Sequence, residues 1–297
     1  MSTEEIYGLL DRAYESEDED EVEELVDRAL ELAPDNPEAL LLKSDFIEED
    51  DERLPLLDRA LEEVKRYFQE EGLSGEDILE DDLSFVYLGL LQRAAYTLFF
   101  LEQDDRSMEM VEELLRYDHE DLAQAKTLRY RILLEREEWS QVLQETMQET
   151  VRGLGWAYAR VIATFMLSNH KGKTPKKQPD SLNKMLWDAV RMAPNVPFYI
   201  LGYIPDPVDE SEDEDYHFAI LFADAWSCSR DLLNWFSRAT ILFGLLTGRF
   251  GGESDDMEEI LSSLGGASDY EELEPRLTDS SEEDILEILA LENYPKP

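Results

Sequence analysis

The sequence predicts an all-α protein, an α-α superhelix of repeated helical hairpins followed by an acidic, partly flexible C-terminal tail. Three observations carry this. Apolar residues recur at three- and four-residue spacing along almost the whole chain, and no stretch of useful length alternates with a period of two. One pattern also returns: Ala29, Pro34 and Pro37 near the start, then Ala189, Pro194 and Pro197 at the same spacing. Finally, 297 residues with 43% hydrophobic and 10% aromatic side chains suffice for a substantial core, so the net charge of −44 does not mark a disordered polyelectrolyte.

The first hairpin places Ile6, Leu9, Leu10 and Ala13 on one stripe and Val22, Leu25, Val26, Ala29 and Leu30 on another. The acidic turn "YESEDED" separates them, rich in residues that cap helices. Pro34 cannot continue a helix and biases Ala33 away from helical geometry, so it closes the pair. The unit has about the length of a tetratricopeptide repeat. Ala29 stands where that repeat needs a small residue, and Pro34 where it ends its second helix. The repeat's large aromatic and glycine are absent, which makes this a degenerate copy.

A second pair is expected near 38–49 and 53–71. "EEGLSGED" at 70–77, with Gly72 and Gly75, then sets a boundary, giving a first domain of degenerate hairpins over 1–80. The second domain, 81–250, resumes with Leu91, Ala94, Ala95 and Leu98 facing Ser107, Val111 and Leu114. Leu128, Ile132 and Leu133 then face Trp139, Val142 and Leu143. Helices follow at 156–167 and 182–190, and after the acidic loop beyond 208 at 214–227 and 230–247. Between them, four prolines at 194, 197, 205 and 207 exclude an ordinary helix, so 194–207 is expected to run as an extended, proline-rich join. Residues 251–297 carry 15 acidic against 2 basic side chains and are expected to be an acidic tail. Short amphipathic stretches at 257–264 and 282–291 interrupt it, the second opened by a capping box of Ser281 and Asp284 and expected to dock in part on the array rather than wait as a motif for another protein.

The chemistry-bearing motifs fall away on inspection. "GKT" at 172–174 has Leu167 where a phosphate-binding loop needs glycine, and Pro175 where its helix should start. "GLG" at 153–155 follows a helix rather than a strand. His119, His170, His217 and Cys228 are isolated from one another at metal-ligand spacing, and the acidic runs lack the central glycine of a calcium loop. Carboxylates are too abundant for any pair to be informative, and no serine, cysteine or histidine arrangement suggests an activated nucleophile. No catalytic residue, cofactor or metal is expected, and the chain is not read as an enzyme.

With 27 Lys and Arg against 71 Asp and Glu, and an isoelectric point near 4.1, the field repels phosphate backbones and anionic lipid. Nucleic acid and membrane surfaces are therefore not expected partners. The single cysteine, Cys228, fits a reducing compartment. "MSTEEIYGLL" does not read as a signal peptide, and no apolar run approaches the roughly 20 residues of a membrane span, so a cytoplasmic protein is expected. The one basic island, "HKGKTPKKQ" at 170–178, reads as a loop lying against the protein's own negative field.

Stacked hairpins form a groove that takes peptides or helices. On the first helix, Tyr7, Asp11 and Tyr14 point toward such a groove and are the candidate partner-binding residues. The expected function is a scaffold for protein–protein interaction, with a basic partner where the acidic surface makes the contact. The alternative is an enzyme or small-ligand-binding protein with a pocket near 197–203.

Residues of about 85–240 also resemble a known family, the tetratricopeptide-type proteins related to suppressor of tumorigenicity seven and its bacterial and plant relatives. The resemblance rests on a helix ending at Pro194, the run Asn195-Val196-Pro197-Phe198-Tyr199-Ile200-Leu201, the acidic opening Glu212–Asp215, and the helix holding Trp226. Of these, Pro194, Asn195, Val196, Pro197, Tyr199, Leu201 and Trp226 form the signature, with a mainly structural role. The chain departs from the family in having Ala193 where asparagine is usual and in lacking the animal members' membrane segments. The resemblance implies a helical-repeat scaffold and brings no catalytic residue with it.

Overall fold

The computed structural model describes residues 3–150, 152–169, 180–208 and 213–296, and among these every regular element is a helix. The chain divides into two units, Met1–Ile132 and Leu133–Pro297, with the division inside one helix, Ala125–Glu135. The boundary drawn from sequence at 80/81 instead falls at a 3-10 turn, Gly75–Glu80, within the first unit.

The first unit holds three hairpins: α1 (Thr3–Glu15) with α2 (Glu19–Leu32), α3 (Pro37–Ser44) with α4 (Asp50–Glu71), and α5 (Ser84–Phe100) with α6 (Asp104–Tyr117); α7 (Ala125–Glu135) begins after them. The stripes meet as their spacing predicts. Leu9, Leu10 and Ala13 pack on Leu25, Val26 and Ala29, and Ala39 of the next hairpin joins the same cluster. Asp18 caps α2 by accepting from the Asp20 and Glu21 amides, and Ala33 leaves helical geometry before Pro34. The chain then restarts at once: the Asn36 side chain accepts from the Ala39 amide at 2.8 Å, with Pro37 in the first turn of α3.

Several of the scarce basic side chains sit on the seams between successive hairpins. Arg93 of α5 binds Asp45 at the end of α3, Arg106 of α6 binds Asp58 of α4, and Lys65 of α4 binds Glu113 of α6. Each pair is solvent-accessible and contributes little alone. In a chain this acidic, their placement relieves repulsion where helices must approach.

In the second unit, α8 (Trp139–Gln148) packs on α9 (Leu154–Asn169), and α9 on α10 (Asp180–Met192). After α11 (Val196–Ile200) come α12 (Glu214–Ser227), α13 (Arg230–Leu246), α14 (Ser254–Ser263), α15 (Ala267–Leu277) and α16 (Glu282–Leu291). The centre is α13. It is buried continuously from Ala239 to Leu245, because α9, α12, α14, α15 and α16 all pack on it. An apolar run surrounded in this way needs no polar face.

Two expectations are corrected here. The join at 194–207 is not extended throughout: Val196–Ile200 forms a short helix, with Pro197 in its first turn, where a missing amide costs nothing. Its ring Phe198 is fully buried between Phe243 and Phe250, and the chain leaves through Gly202 in a left-handed conformation (φ 66°). Nor are residues 251–296 a partly flexible tail with only the 282–291 stretch docked. They form three helices packed on α13, with α16 also on α10, burying Leu261, Leu273, Leu277, Ile285, Leu286 and Leu289. In the sequence α15 is hidden, because Pro275 and four acidic residues obscure a stripe of only two leucines.

Candidate partner-binding face

Spacing of four and three places Tyr7, Asp11 and Tyr14 on one side of α1, flanking the stripe of buried Leu10 and Ala13. All three are exposed, Tyr7 by 49% and Tyr14 by 57%. The fold then brings residues of two further helices beside them. Glu38, in the first turn of α3, lies next to the Tyr14 hydroxyl. Asp45 and Arg93 stand close enough to act on the same phenol, and they hold each other through two bonds, Nε to Oδ1 at 2.6 Å and Nη2 to Oδ2 at 2.8 Å. Gly89 lets α5 approach α3, since a Cβ there would meet the Leu41 methyl at 3.2 Å.

The electrostatics follow from this crowding. Partial burial first, and the Glu38 carboxylate second, push the Tyr14 phenol up to about 12. Burial first, and the charge of Asp11, raise the Glu38 carboxyl above its ordinary value, while the Tyr14 hydroxyl opposes the shift. The face therefore presents tyrosines as hydroxyl donors beside closely spaced carboxylates, the charge of Arg93 being taken up by Asp45. Phe85, which sequence reasoning missed, is 85% exposed. It lies on one stripe of α5 with Gly89, Arg93 and Tyr96, off the buried Val86–Leu90–Ala94 side; that offset is the signal that could have found it.

The signature residues belong to the second unit and serve its packing. Val196 and Pro197 are buried, Pro194 and Leu201 half-buried. Asn195 accepts from Arg249 at 2.7 Å, and the Tyr199 hydroxyl donates to Asp213 at 2.7 Å. Trp226 is fully buried, stacked on Phe236 with ring centroids 3.8 Å apart. The part of the acidic opening at Glu212 and the basic island at 170–178 lie outside the described residues.

No family model, curated protein or solved structure matches this chain. The site must be read from its own geometry.

Among the described residues, no group of three or more His, Cys, Asp or Glu side chains is arranged to hold a metal ion. No helix among them is long and apolar enough to cross a membrane. Cys228 is exposed. A cavity of about 380 Å³ opens at the end of α13, lined by Leu245, Tyr270, Glu274, Leu277, Glu282 and Ile285 among others. None of residues 197–203 is among that lining; Phe198 and Tyr203 pack against Phe250.

Proposed function

We propose that the chain is a cytoplasmic helical-repeat scaffold of tetratricopeptide type that holds a basic segment of a partner protein against the α1–α3–α5 face. The observation that carries this is the pair of exposed tyrosines, Tyr7 and Tyr14, set beside Asp11 and Glu38. Tyrosine offers apolar area and a hydroxyl at little entropic cost, and such residues anchor interfaces. The carboxylates favour lysine or arginine from the partner and disfavour phosphate backbones. The hairpin order of the first unit and its small residues at helix crossings, Ala29, Ala39, Ala60 and Ala94, support the repeat reading.

The test is fluorescence anisotropy of the full chain with a lysine- and arginine-rich helical peptide and with its glutamate-rich counterpart, at low and high salt. The basic peptide binds, more weakly at high salt, and Tyr14→Ala lowers its affinity about tenfold. Equal affinity for the two peptides, or indifference to Tyr14→Ala, would overturn the reading. A second reading, a small cationic ligand in the α13 end cavity, is favoured by Glu274 in its lining. A rise in melting temperature with an organic amine, lost in Glu274→Gln, would support it.

A further inference from the structure

Beyond α16 the chain enters the second unit as a bound peptide would. Asn293 takes a left-handed conformation (φ 62°), and the Tyr294 amide donates back to the Leu289 carbonyl at 2.9 Å, which ends the helix and turns the chain inward. The backbone of residues 293–296 is held by side chains of α10 and α15. The Asn183 side-chain amide donates to the carbonyls of Asn293 and Pro295, both at 3.0 Å. One turn on along α10, Trp187 Nε1 donates to the Tyr294 carbonyl at 2.7 Å. Asp269 of α15 accepts from the Lys296 amide at 2.9 Å. The Tyr294 side chain is fully buried, and the Lys296 ammonium stands over its ring at 4.1 Å.

These gripping groups are themselves held in place. Trp235 Nε1 of α13 donates to Asn183 Oδ1 at 3.0 Å, which fixes the orientation of the Asn183 amide with its NH₂ toward the segment. Arg238 of α13 binds Asp269 at 2.6 Å, with the carboxylate only 3% exposed. A row of fixed donors and an acceptor facing a turning backbone, with one deep aromatic anchor, is how a protein recognises a peptide. Moreover, α16 is seated without this segment, through Ile285, Leu286 and Leu289 and through the pairs Arg191–Glu283 and Arg249–Glu282.

We propose that the cleft of Asn183, Trp187, Trp235 and Asp269 is a peptide-binding site for segments of the Asn-Tyr-Pro-Lys class, occupied in cis by the chain's own residues 293–296. The site is independent of the tyrosine face of the first unit. The cis segment is tethered beside the cleft at an effective concentration of the order of millimolar, so a free peptide competes poorly until that segment is weakened.

The experiment uses the full chain and a labelled, end-blocked peptide Leu-Glu-Asn-Tyr-Pro-Lys-Pro. Lys296→Asp sets a carboxylate beside Asp269 and loosens the cis segment; Tyr294→Ala removes its anchor. Both variants are expected to bind the peptide at least tenfold more tightly than the parent, with a change in tryptophan fluorescence from Trp187 and Trp235. A peptide with alanine for tyrosine is not bound. Adding Trp187→Phe to Lys296→Asp removes one donor and weakens binding roughly five- to tenfold. A parent chain that dimerises through exchanged segments, and reverts to monomer in Lys296→Asp, also supports the cleft. If Tyr294→Ala does not fold, Lys296→Asp carries the test alone. Folded Lys296→Asp binding no more tightly than the parent, or binding unaltered by Trp187→Phe, overturns the proposal.

Discussion

Gly244→Ala in α13 tests whether the 194–207 segment is a packed join. In an isolated helix the change stabilises by about 1 kcal/mol. Here the added Cβ would stand 2.4 and 2.5 Å from two ring carbons of Phe250 and 2.9 Å from one of Phe198. Carbon atoms prefer roughly 3.5–4.0 Å. Phe198 is fully buried, with Phe243 and Phe250 around it and the Arg249 guanidinium 5.0 Å over its ring, so it has nowhere to retreat. Phe250 can swing out only by giving up its burial, worth roughly 2–3 kcal/mol. Compressing the site instead costs about 1–3 kcal/mol. Set against the helix gain, the swing leaves a loss of about 1–2 kcal/mol and the compression, at the middle of its range, about 1 kcal/mol. All five tryptophans lie in the second unit, so urea unfolding followed by tryptophan fluorescence reads that unit selectively. The midpoint should fall at unchanged slope, and Gly244→Ala/Phe250→Leu should recover part of the loss because the two sites share one space. A Gly244→Ala chain as stable as the parent, or strictly additive variants, would refute the reasoning.

Asp269→Ala removes the carboxylate that partners both the nearly buried Arg238 and the Lys296 amide, and should destabilise the second unit by about 3 kcal/mol in the same assay. Ser281→Ala breaks the capping box with Asp284 and should lower stability by about 1 kcal/mol, with faster amide exchange confined to the first turn of α16. The Asp213 carboxyl is held below its ordinary value by the Tyr199 hydroxyl and then by the Tyr216 amide. A carboxyl with a lowered folded pKa binds fewer protons folded than unfolded. Its contribution is therefore complete above the ordinary value near 4 and is lost as pH falls through the lower folded value. Asp213→Asn should flatten the acid limb of the melting profile; a superimposable limb would remove this contact from the account.

Part of the candidate face was legible in the sequence and part was not. The spacing of Tyr7, Asp11 and Tyr14 alone places them on one stripe beside the Leu10–Ala13 stripe, because helical periodicity is a local property. Glu38, Asp45 and Arg93 stand 24 to 79 residues from Tyr14, and no local pattern brings them there. Phe85 escaped because an aromatic in an apolar helix reads as core until its neighbours are known.

The same division runs through the whole chain. Sequence alone determined that the protein is helical, and where most of the helices begin and end, because caps and prolines act on the residues beside them. It placed α12, α13 and α16 to within a residue and found the Ser281–Asp284 box. Only the tertiary structure decided that Val196–Ile200 folds into a turn around a buried Phe198, and that residues 251–296 are helices on α13. It alone brought Asn183 to the carbonyls of Asn293 and Pro295, more than a hundred residues away. The physical reason is that burial and hydrogen-bond satisfaction depend on what arrives from elsewhere in the chain. An acidic, weakly amphipathic stretch is a tail or a packed helix according to whether a buried, largely apolar run such as residues 239–245 of α13 stands ready to receive it.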